Sequence, residues 1–249
     1  MSLKTQPILV LISADAEWRA VKETLQPKEV LNSLYGEFFI QPYPRLNYPQ
    51  EVIFFQGGWG KICAAGSAQY GIDCFRPILL LNLGTCGGIA GRIERGQIVL
   101  VEKTIVYDLI EMMEPSDAVD HFYTSELDLS FLIEPYPCEV IKQTMLSADR
   151  DIQVEEIPLL VKKYGATVCD WESAAIAFVA KRNNLPLVIL RGVSDLVSPS
   201  GGEAYGNLAL FHHSTYSVMK NLLENIEGWL GCVDFTAIAS KSQVRTVQS

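Results

Sequence analysis

The chain has 249 residues, of which 49% are hydrophobic and only 20% charged, and its formal net charge is −9. This composition supplies a large apolar core and excludes an intrinsically disordered chain. An acidic sequence without a basic cluster also argues against nucleic acid or an anionic membrane as a partner. The apolar runs are shorter than the roughly 18 residues of a membrane-spanning helix, and the N-terminal stretch lacks a secretory signal pattern.

The six cysteines show neither a CxxC motif nor dense spacing. Most of them lie in apolar runs, so we expect reduced core thiols in a cytoplasmic protein. The cysteines are Cys63, Cys74, Cys86, Cys138, Cys169 and Cys232. We expect neither a metal site nor a cofactor, because His121, His212 and His213 lack a metal-ligand spacing.

Apolar runs typical of strands alternate with segments of helical periodicity along the chain. The predicted strands are 7–13, 51–56, 78–84, 97–108, 166–170 and 187–195. The predicted helices are 16–25, 62–72, 173–184 and 207–230. This alternation predicts an α/β fold with a mostly parallel sheet covered by helices on both faces.

The domain organisation predicted from the sequence is simple. We expect one domain, residues 1–232, followed by a polar, flexible tail, residues 233–249. There is no linker, internal repeat or low-complexity tract. Residues 109–138 are rich in acids, prolines and aromatics, and their structure is left open.

Acidic residues and glycines follow the predicted strands at their carboxyl ends. The acids are Asp15, Glu17, Asp170, Glu172 and Asp195, and the glycines lie in GGWGK (57–61) and GTCGG (84–88). Open parallel sheets bind ligands at this edge, so the pattern indicates an active site there. Polar loops at the same edge of any α/β protein are the alternative interpretation.

Four motifs in a fixed order resemble the purine nucleoside phosphorylase/nucleosidase family, and most of all its methylthioadenosine/S-adenosylhomocysteine nucleosidases. The motifs are ISADAEW (12–18), GWGKICAAGSAQYGI (58–72), NLGTCGGIAGRIERGQIVLV (82–101) and DWESAAIAFVAKRNNLPLVILRGVSD (170–195). The resemblance implies a three-layer fold with a twisted, mixed central sheet flanked by helices. It also implies a homodimer that cleaves the bond between ribose C1′ and a nucleobase nitrogen.

The resemblance assigns roles to three acids. Asp195 matches the general acid that protonates purine N7, and Glu172 matches the carboxylate that accepts hydrogen bonds from the ribose hydroxyls. Glu17 matches the carboxylate that activates the attacking water. These roles suit glycosidic cleavage, which builds positive charge on the sugar and negative charge on the leaving base. A helix cap or a first-turn acid is the structural alternative for each of them.

Further substrate-binding residues follow from the same comparison. Thr85 and Gly84 match a turn at the nucleophile pocket, and Arg191 matches a residue near the ribose or the nucleophile. Alternatively, Arg191 forms a structural ion pair with Glu172 or Glu17. Asp170 is either part of the site or a helix cap.

The sequence departs from these relatives in the walls of the site. In LSADRDI (146–152), Asp151 stands where the relatives carry an aromatic residue against the purine. Trp171 stands where a methionine usually touches the sugar, and Ala14 replaces a methionine of the first loop. We expect Ile152 and Trp171 to bind substrate, with core packing as the alternative for Trp171. These changes leave the base and the 5′ substituent open, and we expect 109–138 and the loop 198–206 to decide them.

Water is favoured over phosphate as the nucleophile. Phosphorylases of this family often carry an arginine two residues before the G[ST] turn, where this chain has Asn82, and Arg76 and Arg92 lie at other positions. Glu17 would repel a phosphate dianion. We therefore expect a purine nucleoside hydrolase, with a phosphorylase or a non-catalytic nucleoside-binding relative as alternatives.

Overall fold

The structure is a computed structural model that describes residues 6–46, 51–113 and 116–246. Within these ranges, eleven strands form one mixed sheet. The strands are β1 (Ile8–Ile12), β2 (Leu31–Asn32), β3 (Glu37–Pro42), β4 (Glu51–Gln56), β5 (Leu79–Ile89), β6 (Ile98–Val106), β7 (Thr124–Glu126), β8 (Ile141–Ser147), β9 (Val168–Asp170), β10 (Leu187–Ser198) and β11 (Gly201–Gly202). The α-helices are α1 (Asp15–Leu25), α2 (Gly60–Phe75), α3 (Ser116–Phe122), α4 (Ile157–Tyr164), α5 (Ser173–Arg182), α6 (Leu208–Glu224), α7 (Ile226–Gly231) and α8 (Phe235–Thr246).

Part of the sheet closes on itself. β5 pairs with both β10 and β9, and β6 and β8 complete the ring between them. The rest of the sheet extends from β5 through β1 and β4 to the edge strands β3 and β2. The carboxyl ends of β1, β4, β5 and β10 therefore lie side by side, because these four strands run parallel.

Helices cover both faces of the sheet, and the alternation of side chains along β1 divides its residues between two cores. Ile8, Val10 and Ile12 pack in one cluster with residues of α1 and α6. Leu9 and Leu11 pack in a second cluster with residues of α2 and α5. A strand buried on both faces is a continuous apolar run, which is the pattern of 7–13. The predicted three-layer α/β fold is confirmed.

Two expectations differ from the structure. The single helix predicted over 207–230 is wrong, because α6 ends at Glu224 and α7 begins at Ile226. The side chain of Asn225 between them donates to the carbonyl of Asn221, at 2.9 Å, and such local bonds compete with helix propagation. The segment expected to be a flexible tail contains α8, and Ile238 of this helix is buried in the core.

The cysteines also differ from the expectation of core thiols. Cys63 and Cys74 are exposed, Cys138 and Cys232 are half-buried, and Cys86 and Cys169 are buried. The four exposed or half-buried cysteines lie on α2 or in loops, so apolar neighbours in the sequence did not determine burial. Among the helices of the described ranges, none combines the length and apolar character needed to cross a bilayer.

Candidate active site

A cavity of about 480 Å³ lies at the carboxyl ends of the parallel strands. Its volume is in the range of small-molecule sites. Five acidic residues line it, and we call it the acid-lined cavity. These acids are Glu17, Asp151, Asp170, Glu172 and Asp195. Residues 17, 172 and 195 are far apart in the chain, and the fold brings all three to this one cavity.

Glu17 lies in the first turn of α1, directly after β1, and is only 2% exposed. Its Oε1 accepts hydrogen bonds from the backbone N–H of Thr85, at 2.6 Å, and from the Thr85 hydroxyl, at 2.9 Å. Its Oε2 accepts from the N–H of Ala14, at 3.1 Å. Ala14 is the N-cap of this helix. Three donors thus hold one buried carboxylate in a single orientation at the cavity wall.

Arg191 lies on β10 and is completely buried among the acids. Its Nε is 3.1 Å from Asp170 Oδ2, and its two Nη atoms are 3.8 Å from Glu17 Oε1 and 3.9 Å from Glu172 Oε2. Nη2 also donates to Asn82 Oδ1, at 2.8 Å. Burial opposes the positive charge, but the surrounding carboxylates, Asp170 foremost, outweigh it and raise the pKa of Arg191.

Arg191 and Gly84 do not line the acid-lined cavity, although both were expected to bind substrate. They lie behind its wall. A Cβ on Gly84 would be 1.9 Å from Arg191 Nη1, so glycine at this position makes room for the guanidinium group. Arg191 therefore takes part in structural ion pairs, as the alternative interpretation expected. Its partners are Asp170, Glu17 and Glu172.

Asp170, at the end of β9, organises the start of α5. It accepts hydrogen bonds from the Ser147 hydroxyl, at 2.5 Å, and from both the backbone N–H and the hydroxyl of Ser173. Together with Arg191, these donors satisfy a carboxylate that is only 6% exposed. Asp170 therefore satisfies the backbone N–H of the first residue of α5, although Glu172 holds the N-cap position, and it is the main partner of the buried guanidinium group.

Glu172 occupies the N-cap position of α5 and is 7% exposed. Its Oε1 accepts a hydrogen bond from the N–H of Gly60, at 3.0 Å. Burial raises the pKa of Glu172 to about 8, and the nearby Asp170 and Glu17 add to this effect, while Arg191 opposes it. Burial thus favours the protonated form of Glu172, whereas the guanidinium group of Arg191 favours the ionised form.

Asp195 faces the cavity because of an irregularity in β10. The pairing of β10 with β5 shifts register between Val193 and Asp195, with Ser194 in between, and such bulges change the direction of side chains. The Ser194 hydroxyl donates to Asp195 Oδ1, at 2.6 Å. Burial raises the pKa of Asp195, although this hydrogen bond acts in the opposite direction. An acid of raised pKa in a cavity is suited to donating a proton.

Aromatic residues form other parts of the wall. Trp171 lines the cavity and stacks on Trp59, with ring centroids 5.7 Å apart and planes inclined by 24°. Ile152 also lines it, and its carbonyl accepts a hydrogen bond from the Tyr205 hydroxyl, at 2.9 Å. Tyr205 belongs to the loop 198–206, so this bond fixes that loop beside the cavity.

Several residues that line the cavity were not singled out from the sequence. Among them are Trp59, Arg150, Tyr205 and Phe211. A signal existed for Trp59, which stands between glycines at the carboxyl end of a strand. Phe211 comes from α6, and no pattern in the sequence indicates that this helix starts beside the strand ends.

Positive charge is scarce at the site. Among the described residues that line the cavity, Arg150 is the one Lys or Arg, and it is 2.8 Å from Glu156 Oε2. Asn82 is buried and donates to the carbonyl of Leu11, at 2.9 Å. Arg76 and Arg92 are exposed and do not line the cavity.

Known proteins resemble this chain in sequence. The model of the phosphorylase superfamily matches residues 43–224. The 5′-methylthioadenosine/S-adenosylhomocysteine nucleosidase of Buchnera aphidicola subsp. Acyrthosiphon pisum is 25% identical over 188 residues, 71% of this chain and 81% of that protein. The enzyme of the same name from Maridesulfovibrio salexigens is 29% identical over 166 residues, 62% of this chain and 72% of its own.

Solved structures share the fold. Futalosine hydrolase of Helicobacter pylori has a TM-score of 0.71 at 17% identity and covers 89% of this chain and 97% of its own. The 5′-methylthioadenosine/S-adenosylhomocysteine nucleosidase of S. pneumoniae, solved with a transition-state inhibitor, has a TM-score of 0.70 at 17% identity and covers 91% and 99%.

The mixed sheet and the acid-lined cavity at its strand ends define an α/β protein of the nucleoside phosphorylase/nucleosidase fold class. The family model covers well over half of the sequence. The chain belongs to the phosphorylase superfamily, and the resemblance stated from the four motifs is confirmed.

Proposed function

We propose that the protein is a purine nucleoside hydrolase. It cleaves the N-glycosidic bond of a substrate like 5′-methylthioadenosine or S-adenosylhomocysteine, or of a variant of these, with water as the nucleophile. The observation that supports this proposal most strongly is that Glu17, Glu172 and Asp195 line one cavity. The nucleosidase names of the relatives support the same reaction.

Each acid meets one requirement of the reaction. Asp195, whose pKa is raised by burial, donates a proton to purine N7 as the base leaves. Glu17 accepts a proton from the water that attacks C1′, and its bonds to Thr85 and Ala14 fix the direction in which the carboxylate points. The proton on the base and the proton taken from water balance the cleavage, which yields a free base and a reducing sugar.

Glu172 holds the ribose through its 2′ and 3′ hydroxyls. A hydroxyl pair donates to a carboxylate, so binding favours the ionised form of a group that is protonated in the free protein. The approach of the sugar therefore releases a proton from Glu172. Nucleoside affinity should consequently weaken as the pH falls below about 8, the pKa of this group in the free protein.

The charge of the cavity argues against phosphate as the nucleophile. A phosphorylase must bind a dianion, which arginine does best. Here the lining contains five acids, and Arg150 is already paired with Glu156. Asn82, at the position of the phosphorylase arginine, is engaged with Leu11 and Arg191.

The test is base release from a panel of purine nucleosides, with and without orthophosphate, followed by chromatography of both products. We expect turnover without phosphate, and a loss of about 100-fold or more in kcat for Glu17→Gln and Asp195→Asn. Glu102→Gln, an exposed acid on β6, is the matched control and should retain wild-type turnover. Turnover that requires phosphate and yields a sugar phosphate would refute the hydrolase.

We also propose a homodimer in the cytoplasm. Exposed apolar side chains on 109–113 supply surface that a second copy would cover, among them Ile110, Met112 and Met113, which are 78%, 87% and 89% exposed. All six cysteines are free, as in a reducing compartment. Sedimentation of the purified protein should give the mass of two chains, and the mass of one chain would contradict the dimer.

A further inference from the structure

We infer that Trp59 and Trp171 form a subsite for a flat aromatic group attached at the 5′ position of the nucleoside. Given the proposed function, the preferred substrates are purine nucleosides with an aromatic 5′ substituent. The protein should prefer them to nucleosides with a small alkylthio group at this position.

The two indoles form a stacked pair, and part of their aromatic surface remains exposed. Their centroids are 5.7 Å apart, and both line the acid-lined cavity. Trp171 covers one face of Trp59, yet Trp59 remains 62% exposed. A large aromatic residue left open in a ligand cavity gains by stacking with another ring. A methylthio group is too small to cover this surface.

The pair adjoins the residue proposed to hold the ribose. Trp171 directly precedes Glu172 in the chain. Trp59 directly precedes Gly60, whose N–H donates to Glu172 Oε1 at 3.0 Å. Trp59 and Trp171 are therefore the chain neighbours of the two residues that form this hydrogen bond.

The order of the strands sets the direction of the substrate. Asp195 lies on β10, and Trp59 follows β4, with β5 and β1 between them. Three steps of about 4.8 Å between neighbouring strands separate the two positions by roughly 14 Å across the sheet. Thr85 on β5 and Glu17 after β1 lie between them, at the position proposed for C1′. A nucleoside with its base at Asp195 and its C1′ at Glu17 extends its C5′ toward β4 and hence toward Trp59.

Charges near the pair favour a neutral substituent. Lys61, two residues after Trp59, has its Nζ 2.5 Å from Asp108 Oδ2 and 3.3 Å from Asp149 Oδ2. Its charge is therefore already compensated by two carboxylates. Lys61 is thus already engaged and is not free to pair with the carboxylate of an amino-acid group at the 5′ position, whereas a neutral ring needs no such partner.

The experiment compares two adenosine derivatives that differ at one position, 5′-phenylthioadenosine and 5′-methylthioadenosine. Release of adenine is measured for the wild type, Trp59→Ala, Trp59→Phe and Ile62→Ala. Ile62 is the matched control, since it lies on α2 with 86% exposure and does not line the cavity. S-adenosylhomocysteine is added as a third substrate to compare a charged 5′ group.

We expect the wild type to have a higher kcat/KM for the phenylthio compound. Trp59→Ala should lower this value about five- to tenfold more than it lowers the value for the methylthio compound. Trp59→Phe should restore most of the loss, and Ile62→Ala should change neither substrate. Equal effects of Trp59→Ala on both substrates, a wild-type preference for methylthio, or a preference for the charged substrate would overturn the inference.

The inference and the proposed function fail in different ways. If no derivative is cleaved, the proposed hydrolysis is wrong, and the subsite is then tested by binding alone. Each derivative should quench the tryptophan fluorescence of the wild type, and the titration should give a lower Kd for the phenylthio compound than for the methylthio compound. Trp59→Ala should remove this difference in Kd. Equal affinities in the wild type would overturn the subsite. A change in oligomeric mass on Trp59→Ala, without a change in the substrate ratio, would instead assign this surface to an interface between copies.

Discussion

Replacing Glu172 by glutamine should make the free protein more stable at alkaline pH, although it removes a residue proposed to bind the ribose. Glutamine has almost the same shape as glutamate, and its oxygen can still accept from the N–H of Gly60, as Glu172 Oε1 does at 3.0 Å. The substitution removes only the charge that develops when Glu172 ionises in a buried position beside Asp170 and Glu17.

The direction and size of the effect follow from the pKa. Burial raises the pKa of Glu172 from 4.5 to about 8, so between these pH values the folded protein holds a proton that the unfolded chain has released. The contribution of Glu172 to the free energy of unfolding is therefore fully present below pH 4.5, and it is lost as the pH rises toward 8. At pH 9 the ionised group costs about 5 kcal/mol. This corresponds to a Tm difference of about 10–20 °C for a chain of this size.

The assay is thermal unfolding of the wild type and of Glu172→Gln at about pH 5 and about pH 9, without ligand. The variant should melt within a few degrees of the wild type at the lower pH and clearly higher at the upper pH. Glu102→Gln, on an exposed surface of β6, controls for the loss of any carboxylate and should follow the wild type at both. Parallel curves, or a variant that melts lower at pH 9, would refute the assignment of a buried, protonated Glu172.

Three further substitutions test the surroundings of the acids. Arg191→Met leaves buried carboxylates without their cation and should lower the free energy of unfolding in urea by about 3–5 kcal/mol. Gly84→Ala places a Cβ 1.9 Å from Arg191 Nη1 and 2.7 Å from Glu17 Oε1; urea unfolding should show a loss of about 1–3 kcal/mol, and turnover should fall. Ser194→Ala removes a hydrogen bond that lowers the pKa of Asp195, so the pH above which kcat/KM declines should move upward.

Each of these variants has a control elsewhere in the chain. Arg92→Met removes an exposed arginine, and Gly231→Ala adds a Cβ that meets no atom within 4 Å. Ser240→Ala removes an exposed hydroxyl. If Arg191→Met or Gly84→Ala were as stable as the wild type, the buried network would be contradicted. If the pH above which kcat/KM declines were unchanged or lower in Ser194→Ala, Asp195 would not be the proton donor.

The strands of the central sheet could be predicted from the sequence because they are apolar on both faces. β1 is a continuous apolar run, and β5 and β10 each begin with one, so the predicted segments overlap all three strands, although β5 continues to Ile89. β8 was missed, since Ile141–Ser147 contains Lys142 and Gln143 and only its last residues are buried. Its position is fixed by pairing with β6 and β9, which are distant in the chain.

The acids of the site could be found because they follow recognisable strands within motifs of known order. The buried position of Arg191 could not, since a motif does not reveal on which side of the cavity wall a side chain lies. The Trp59–Trp171 stack was equally hidden. It joins residues 112 positions apart, and neither local sequence indicates the contact.

The most direct test of the proposed catalytic arrangement is a crystal structure of the wild-type protein with a non-cleavable C-nucleoside that retains a purine-like base. Asp195 should lie within about 3.2 Å of the position equivalent to N7, and Glu172 within the same distance of the ribose hydroxyls. A water between Glu17 and C1′ is expected on the face opposite the base. A nucleoside bound away from these three carboxylates, or bound with an anion in place of that water, would contradict the mechanism.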